Sequence, residues 1–207
     1  MTKLQFIGDA HGKWRELKES LDPSVDYSIQ VGDMGFGFPN KVYPEFPSNF
    51  YWIAGNHDNF EELELNPPSH YIPKSQTRLL GSVTLGFLGG GESIDKNWRI
   101  HGSSWWPQET ITFKEMEEAI IKFNLHKPKI ICTHECPLSI RNMVTGSNKI
   151  DIKGFDTSSK ALEIVWKNLS YKPEYWIFGH HHVSFDKTFN GLRFIGLNEL
   201  QSLILEV

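Results

Sequence analysis

The sequence of 207 residues is 39% hydrophobic and 22% charged, which is typical of a globular protein in water. Its length suits one domain over residues 1–207, and its net charge of −4 disfavours long nucleic acid as a partner, because phosphate neutralisation requires clustered Lys and Arg. No apolar run approaches the roughly 18 residues that span a membrane, and the first residues lack the features of a signal peptide. We therefore expect a cytoplasmic protein that does not bind membranes; the sequence leaves its oligomeric state open.

Candidate ligands follow the first predicted strand. Leu4–Ile7 is an apolar run that ends in Gly-Asp-Ala-His, so Asp9 and His11 are two residues apart and lie on the same side of an extended segment. A carboxylate and an imidazole in this arrangement can bind one divalent cation. The alternative is a polar turn before a helix, which the apolar spacing predicts over Lys13–Leu21.

The next two predicted strands repeat this pattern. Tyr27–Val31 is followed by Gly-Asp, which supplies Asp33, and Phe50–Ala54 is followed by Gly-Asn-His-Asp at residues 55–58. Because helices or loops separate the three strands, we expect βαβ units and a largely parallel sheet with these side chains at its carboxyl edge. Each group could also be an ordinary turn or helix cap.

The middle of the chain combines short elements with one long irregular segment. The pattern predicts a helix over Phe60–Leu65 and a hairpin of Arg78–Leu80 and Ser82–Leu88. It also predicts a helix over Phe113–Leu125 that is capped by Thr112. The residues between the hairpin and this helix show no periodicity.

Residues 92–109 are therefore an aromatic-rich loop insertion, which follows a glycine-rich strand end and could fold over a site there. Its tryptophans are Trp98, Trp105 and Trp106. They could stack on a base or an aromatic leaving group, and Arg99 could bind a phosphate. The alternative is that Trp105 and Trp106 fill the core, in which case the predicted mobile loop Arg141–Ser159 would recognise the substrate.

Two further predicted strands, Lys129–Cys132 and Tyr175–Phe178, precede histidines. The first is followed by His134 and the second by the run His180-His181-His182. A helix is predicted over Ala161–Leu169. The tail is predicted to form the strands Ser184–Phe189, Leu192–Ile195 and Ser202–Val207.

Five predicted strands thus end in candidate metal ligands, which we expect at one edge of one sheet. They are Asp9, His11, Asp33, Asn56, His134, His180 and His182. Taken singly, His134 could be a core imidazole and the last two could belong to an exposed turn. Mixed imidazole and carboxylate ligands favour Mn, Fe or Zn over Ca or Mg. The two cysteines, Cys132 and Cys136, are interpreted as core or near-surface thiols rather than ligands.

In this order the motifs resemble those of the calcineurin-like metallophosphoesterase superfamily, from Asp9 to His182. The resemblance implies an α/β fold, a four-layer sandwich of two mixed β-sheets flanked by helices. It also implies a centre of two divalent metal ions. The segment Gly89–Asp95, together with Trp105-Trp106-Pro107, resembles small bacterial and phage members of the superfamily.

The resemblance also assigns roles to the candidate residues. It implies that Asp9, His11 and His182 hold one ion, that Asn56, His134 and His180 hold the other, and that Asp33 bridges them. Manganese is the expected metal, with Fe, Zn, Ni or Mg as alternatives. A metal-bridging hydroxide would attack phosphorus and His57 would donate a proton to the leaving oxygen. Asp58 would set the tautomer of this imidazole and raise its pKa.

The expected function is therefore a phosphodiesterase or phosphomonoesterase that acts on a small phosphorylated substrate such as a nucleotide. The protein phosphatase branch reads Gly-Asp-x-x-Asp-Arg-Gly around its bridging aspartate, whereas this chain reads Gly-Asp-Met-Gly-Phe-Gly at residues 32–37. The phosphate-binding arginine of that branch is absent, and Arg99 or Arg141 would have to replace it. Two alternatives stay open: a serine/threonine-type protein phosphatase, and a metal-bound interaction scaffold without turnover.

Overall fold

The structure, a computed structural model, describes residues 1–38, 42–146 and 157–207. Its strands are β1 (Lys3–Ile7), β2 (Tyr27–Gln30), β3 (Phe50–Trp52), β4 (Gln76–Leu80), β5 (Val83–Leu88), β6 (Ile130–Thr133), β7 (Tyr175–Phe178), β8 (Phe185–Phe189), β9 (Leu192–Gly196) and β10 (Ser202–Glu206). Its α-helices are α1 (Trp14–Glu19), α2 (Phe60–Leu65), α3 (Phe113–His126), α4 (Leu138–Val144) and α5 (Thr157–Lys167). Two short 3-10 turns, Lys96–Trp98 and Pro107–Glu109, lie between β5 and α3.

The strands of the described residues form two mixed sheets. One has four strands in the order β10-β1-β2-β3, in which β10 runs antiparallel to the other three. The other has six strands in the order β4-β5-β6-β7-β9-β8, with a parallel centre and one antiparallel strand at each edge. Helices connect the parallel neighbours β1 and β2, β5 and β6, and β6 and β7, because such a pair needs a crossover.

Alternating side chains place the two sheets face to face with helices outside. In β1, Phe6 belongs to the core between the sheets, whereas Ile7 packs with residues of α1 and α2. In β6, Cys132 belongs to the core between the sheets, whereas Ile131 packs with residues of α3 and α5. Because successive side chains of a strand point to opposite faces, each central strand contributes to two cores. The predicted four-layer α/β sandwich is therefore confirmed.

The element bounds differ most from prediction in the helices. Helix α2 and strand β7 have the predicted bounds, and α1 is shorter than the predicted Lys13–Leu21. The predicted loop Arg141–Ser159 is wrong at both ends, where α4 and α5 lie; its residues 147–156 are outside the described part of the chain. Ile140 of α4 and Leu162 of α5 are buried with α3, and tertiary burial of this kind stabilises helices whose polar sequence gives a weak signal. Over the described ranges, every helix is too short or too polar to cross a bilayer.

We expect Thr112→Ala to destabilise the protein by about 1 kcal/mol, because this residue caps α3. The Thr112 hydroxyl accepts the Glu115 N–H at 3.2 Å, and the Glu115 carboxylate accepts the Thr112 N–H at 2.7 Å. Urea unfolding followed by circular dichroism measures the loss. Thr112→Ser keeps the hydroxyl and is the matched control, so an equal loss in both variants would contradict the capping role.

Candidate metal centre

The carboxyl ends of strands from both sheets meet at one site. In chain order the site contains Asp9, His11, Asp33, Asn56, His134, His180 and His182. The first four follow strands of the four-stranded sheet, and the last three follow β6 and β7 of the six-stranded sheet. The prediction that one sheet carries all of them is therefore wrong. The structure nevertheless brings them together, because the two sheets pack face to face with these ends at the same side.

The first group of possible ligands comprises Asp9, His11, Asp33 and His182. Nε2 of His182 lies 3.0 Å from Oδ2 of Asp9 and 2.9 Å from Nε2 of His11. His11 Nε2 also lies 3.8 Å from Oδ2 of Asp33. The four donor atoms all lie within 4.8 Å of one another. One cation can reach such a set, because metal–ligand bonds of about 2.0–2.2 Å place opposite donors about 4 Å apart.

Asp33 also belongs to a second group, with His134 and His180. His134 Nε2 lies 3.3 Å from Oδ1 of Asp33 and 3.2 Å from Nδ1 of His180. The amide oxygen of Asn56 lies 3.2 Å from the same nitrogen of His134. Asp33 therefore presents one carboxylate oxygen to each group.

Four of these residues have a positive φ angle, a backbone conformation that residues other than glycine rarely adopt. The φ angle is 48° at His11, 55° at Asp33, 66° at His180 and 49° at His182. Left-handed conformations of this kind cost free energy, and they are concentrated at functional sites where the surrounding structure maintains them. The strain supports a functional role for these residues over that of an ordinary turn.

Two glycines let the backbone approach the buried carboxylates. A Cβ at Gly55 would lie 2.2 Å from Oδ1 of Asp33 and 2.6 Å from Nε2 of His134. A Cβ at Gly179 would lie 2.1 Å from Oδ1 of Asp9. Both separations are far below van der Waals contact, so only glycine fits at these two positions.

Polar contacts on the outer nitrogens of two histidines leave their inner nitrogens for a cation. His134 Nδ1 donates to the carbonyl oxygen of Val31 at 3.0 Å, which directs Nε2 towards Asp33. His180 Nε2 lies 3.3 Å from Oε2 of the buried Glu135, which directs Nδ1 towards His134. Carbonyl and carboxylate groups commonly orient metal-binding histidines in this way. Glu135 was not predicted, although it directly follows His134 in the sequence.

The buried site attracts positive charge. Burial opposes ionisation of Asp33, but the nearby histidines, His134 above all, outweigh burial and hold the pKa of Asp33 below its ordinary value. Burial also opposes protonation of His134, but Asp33 and Asp9 outweigh it and raise the pKa of His134 to about 10. A divalent cation would replace this proton, because histidine binds metals as the neutral ring.

His57 and Arg99 lie together beside the metal ligands. The backbone N–H of His57 donates to Oδ1 of Asp33 at 2.7 Å, and its ring lies 5.0 Å from the ring of His11. Arg99 Nη2 lies 3.0 Å from Nε2 of His57, and the guanidinium is the donor because arginine keeps its proton. His57, the predicted proton donor, and Arg99, the predicted phosphate ligand, are therefore in contact beside the candidate centre.

Asp58 does not orient the ring of His57 as predicted. Its carboxylate accepts three backbone N–H groups at 2.8–3.2 Å, those of Met34, Phe36 and Gly55. Burial and the charge of Asp33 raise the pKa of Asp58 to about 7. The pKa of His57 was predicted to be raised by Asp58, but burial lowers it. The predicted effect of Asp58 on the imidazole is therefore wrong, and the carboxylate instead joins the loops that follow β2 and β3.

The segment of residues 92–109 contributes directly to the site. Ser93 Oγ accepts from the amide nitrogen of Asn56 at 3.1 Å and donates to Oε2 of Glu109 at 2.8 Å. These bonds hold the amide so that its oxygen faces His134. Neither Ser93 nor Glu109 was predicted, because an irregular segment carries no periodic signal that marks inward-facing positions.

Further contacts fix this segment at both ends. Glu92 Oε2 accepts the Thr157 N–H at 2.8 Å, which joins the segment to the start of α5. Nζ of Lys74 donates to the carbonyl oxygens of Gln108 at 2.6 Å and Thr110 at 2.9 Å. The position of Arg99 beside His57 therefore depends on contacts made elsewhere in the fold.

The tryptophans of the segment divide between core and surface. Trp106 is 3% exposed and packs in the core with residues of α1, α2 and β3, as the structural alternative predicted. Trp105 is partly buried, and its ring lies 5.8 Å from that of His101. Trp98 is 90% exposed and is the tryptophan of the three that keeps a fully accessible ring.

The fold and the donor set define a class of protein: a four-layer α/β sandwich with candidate metal ligands at the carboxyl ends of its strands. The model of the calcineurin-like phosphoesterase family matches residues 2–184. The chain therefore belongs to the calcineurin-like phosphoesterase family, as its sequence motifs predicted. No curated protein sequence matches the chain.

Solved structures share the fold at low sequence identity. A putative 5′-nucleotidase from Staphylococcus aureus in complex with alpha-ketoglutarate has a TM-score of 0.60 and 14% identity, covering 99% of this chain and 51% of that chain. The phosphopantetheinyl hydrolase of Mycobacterium tuberculosis has a TM-score of 0.54 and 12% identity, covering 95% and 89%. A hypothetical protein from Thermus thermophilus has a TM-score of 0.50 and 12% identity, covering 95% and 75%. At these identities the likeness shows the fold alone.

We expect Ser93→Ala to weaken metal binding by about 10- to 100-fold, because the amide of Asn56 loses the acceptor that orients it. Calorimetric titration with Mn²⁺ and the metal content after dialysis measure the loss. Ser103→Ala changes an exposed serine of the same segment and is the matched control. Equal affinity in the two variants would contradict the orienting role of Ser93.

Proposed function

We propose that this protein hydrolyses small phosphate esters with the help of two divalent cations. The observation that carries the proposal is that the two oxygens of the buried Asp33 carboxylate face two different groups of donor atoms. Oδ2 of Asp33 faces His11, and Oδ1 faces His134. A structural site for one ion would not need such a bridge.

The donor atoms fit a pair of divalent cations. Asp9, His11 and His182 would hold the first ion, Asn56, His134 and His180 would hold the second, and Asp33 would touch both. In the first group two imidazole nitrogens lie 2.9 Å apart, so a shared proton or a cation between them is needed to avoid repulsion of their lone pairs. Imidazole with carboxylate and amide oxygen suits manganese, which we propose first, and also Fe, Zn, Ni or Mg.

Two divalent ions in such a pair lower the pKa of a water between them and hold phosphate oxygens for in-line displacement. Side chains of the protein would bind the phosphate and transfer the proton. The guanidinium of Arg99 is a bidentate donor, well suited to the oxygens of a phosphoryl group. His57 would hold a proton at Nε2 and pass it to the leaving oxygen as the bond to phosphorus breaks.

The contact between Arg99 and His57 suggests how substrate binding prepares this proton transfer. While Arg99 donates to Nε2 of His57, that nitrogen is an acceptor and carries no proton. A phosphate that takes over the guanidinium would release Nε2, which could then bind a proton next to the anionic substrate. The proton donor would become active only when the substrate occupies the site.

The substrate class follows from the surroundings of the site. A net charge of −4 disfavours long nucleic acid, and the exposed ring of Trp98 near Arg99 in the chain could stack on a base, so a small nucleotide is the favoured substrate. A serine/threonine-type protein phosphatase is less favoured, because the motif at residues 32–37 lacks the arginine of that branch. Localisation in the cytoplasm remains part of this proposal.

A panel of phosphate esters assayed with Mn²⁺-loaded protein tests the function. It should contain bis(p-nitrophenyl) phosphate, p-nitrophenyl phosphate, a 5′-nucleotide, a cyclic nucleotide and a phosphopeptide. We expect turnover of at least one nucleotide or synthetic ester, abolished in Asp33→Ala together with metal binding. Metal-loaded protein that turns over none of these compounds would favour the interaction scaffold.

His57→Ala is expected to retain both metals and to lose about 10²- to 10⁴-fold in kcat, because it removes the proton donor. The loss should be largest for esters with poor leaving groups, since p-nitrophenolate leaves without a proton. The ratio of rates on nitrophenyl and alkyl esters measures this effect. Loss of metal from His57→Ala, or an equal loss of rate on both esters, would contradict the assignment.

Arg99→Ala is expected to lower kcat/KM by about tenfold or more, because a hydrogen bond to a charged phosphate disappears. Metal content and the melting temperature should change little. Arg193→Ala is the matched control. Arg99 donates to the carboxylate of Asp95, and Arg193 donates likewise to that of Asp186, but Arg193 lies beside the amino end of β7, opposite the site. A lower melting temperature with normal kinetics would make Arg99 a structural residue.

A further inference from the structure

A second cluster of possible ligands lies behind the candidate centre, on the far side of Glu135. A carboxylate oxygen of Glu135, Sγ of Cys136 and a ring nitrogen of His181 all lie within 4.8 Å of one another. Glu135 and Cys136 are buried, and 12% of the His181 side chain is exposed. None of these three residues belongs to the ligand set of the two proposed ions.

The distance between the sulfur and the imidazole nitrogen of this cluster matches that of a tetrahedral zinc site. Sγ of Cys136 lies 3.6 Å from Nε2 of His181. Zinc bonds of about 2.3 Å to sulfur and about 2.0–2.1 Å to nitrogen, at a tetrahedral angle, separate these two atoms by about 3.5 Å. Oε1 of Glu135 lies closer to Nε2, at 2.6 Å, because a hydrogen bond joins them. A cation would take the place of that hydrogen.

The charges of the cluster also suit a divalent cation. A thiolate and a carboxylate carry two negative charges, so a zinc ion would make this buried group neutral and avoid the cost of an isolated charge. On binding, the Cys136 thiol gives its proton to solvent and His181 Nε2 exchanges its hydrogen for the cation. Water would complete the coordination, because part of the His181 side chain is exposed to solvent.

We propose that Glu135, Cys136 and His181 form a third cation site, selective for zinc, which joins the loops that follow β6 and β7. Thiolate with imidazole and carboxylate favours zinc over manganese. The site is coupled to the candidate centre through one side chain, because Oε2 of Glu135 lies 3.3 Å from Nε2 of His180. An ion here would fix the carboxylate that orients a ligand of the second proposed metal.

Cobalt absorption tests this site independently of catalysis. The protein is purified from cells grown in minimal medium with cobalt, and its near-ultraviolet spectrum is recorded. No ligand of the two proposed ions is a sulfur atom, so a thiolate-to-cobalt charge-transfer band can arise only from a cysteine. We expect the band in the unchanged protein and its loss in Cys136→Ser, with one bound ion fewer per chain by mass spectrometry.

The matched control is Cys132→Ser. Cys132 is also buried on β6, but it lies in the core between the sheets and is outside every candidate ligand cluster of the described residues. This variant should keep the band. His181→Asn provides a second variant that should lose the band if Cys136→Ser does not fold. Absence of the band in cobalt-containing unchanged protein, or its persistence in Cys136→Ser or His181→Asn, would overturn the proposal.

Discussion

Asp33 lies where the two sheets meet, with its carboxylate buried and the backbone N–H of His57 and the ring of His134 within 3.3 Å of one oxygen. A buried carboxylate without such partners would cost several kcal/mol, so the surrounding chain is constrained to supply positive charge and donors. Gly55 removes the side chain that would collide with the carboxylate. The backbone of His11 and His180 has positive φ angles, a strained conformation that persists only where the surrounding structure maintains it. In the proposed function, metal binding and catalysis would both depend on this one group.

The segment of residues 92–109 is the second determinant of the site. It orients Asn56 through Ser93 and brings Arg99 to His57, while Glu92 holds it to the start of α5. Loops of this kind can change without disturbing the strands that precede the candidate metal ligands. Within this segment, Trp106 is buried in the core and Trp98 is exposed at the surface.

Much of the fold was accessible from local patterns. The bounds of β7 and α2, the capping box at Thr112 and the polar residues at the end of each central strand were all predicted, because periodicity, capping and glycine turns are short-range properties. The predicted loop Arg141–Ser159 failed where it overlaps α4 and α5. Those helices are stabilised by burial against α3, and a window of sequence does not contain the partner.

The sequence by itself determined which residues stand at the strand ends, and hence the candidate ligands and the family. Only the tertiary structure decided that the ligands come from two sheets, that Asp58 binds three backbone N–H groups, and that Arg99 meets His57. It also revealed Glu135 between His180 and His181. The physical reason is that strand periodicity fixes the direction of a side chain along its own segment. Its neighbours across the sandwich are fixed by the packing of two sheets, which depends on contacts between residues far apart in the chain.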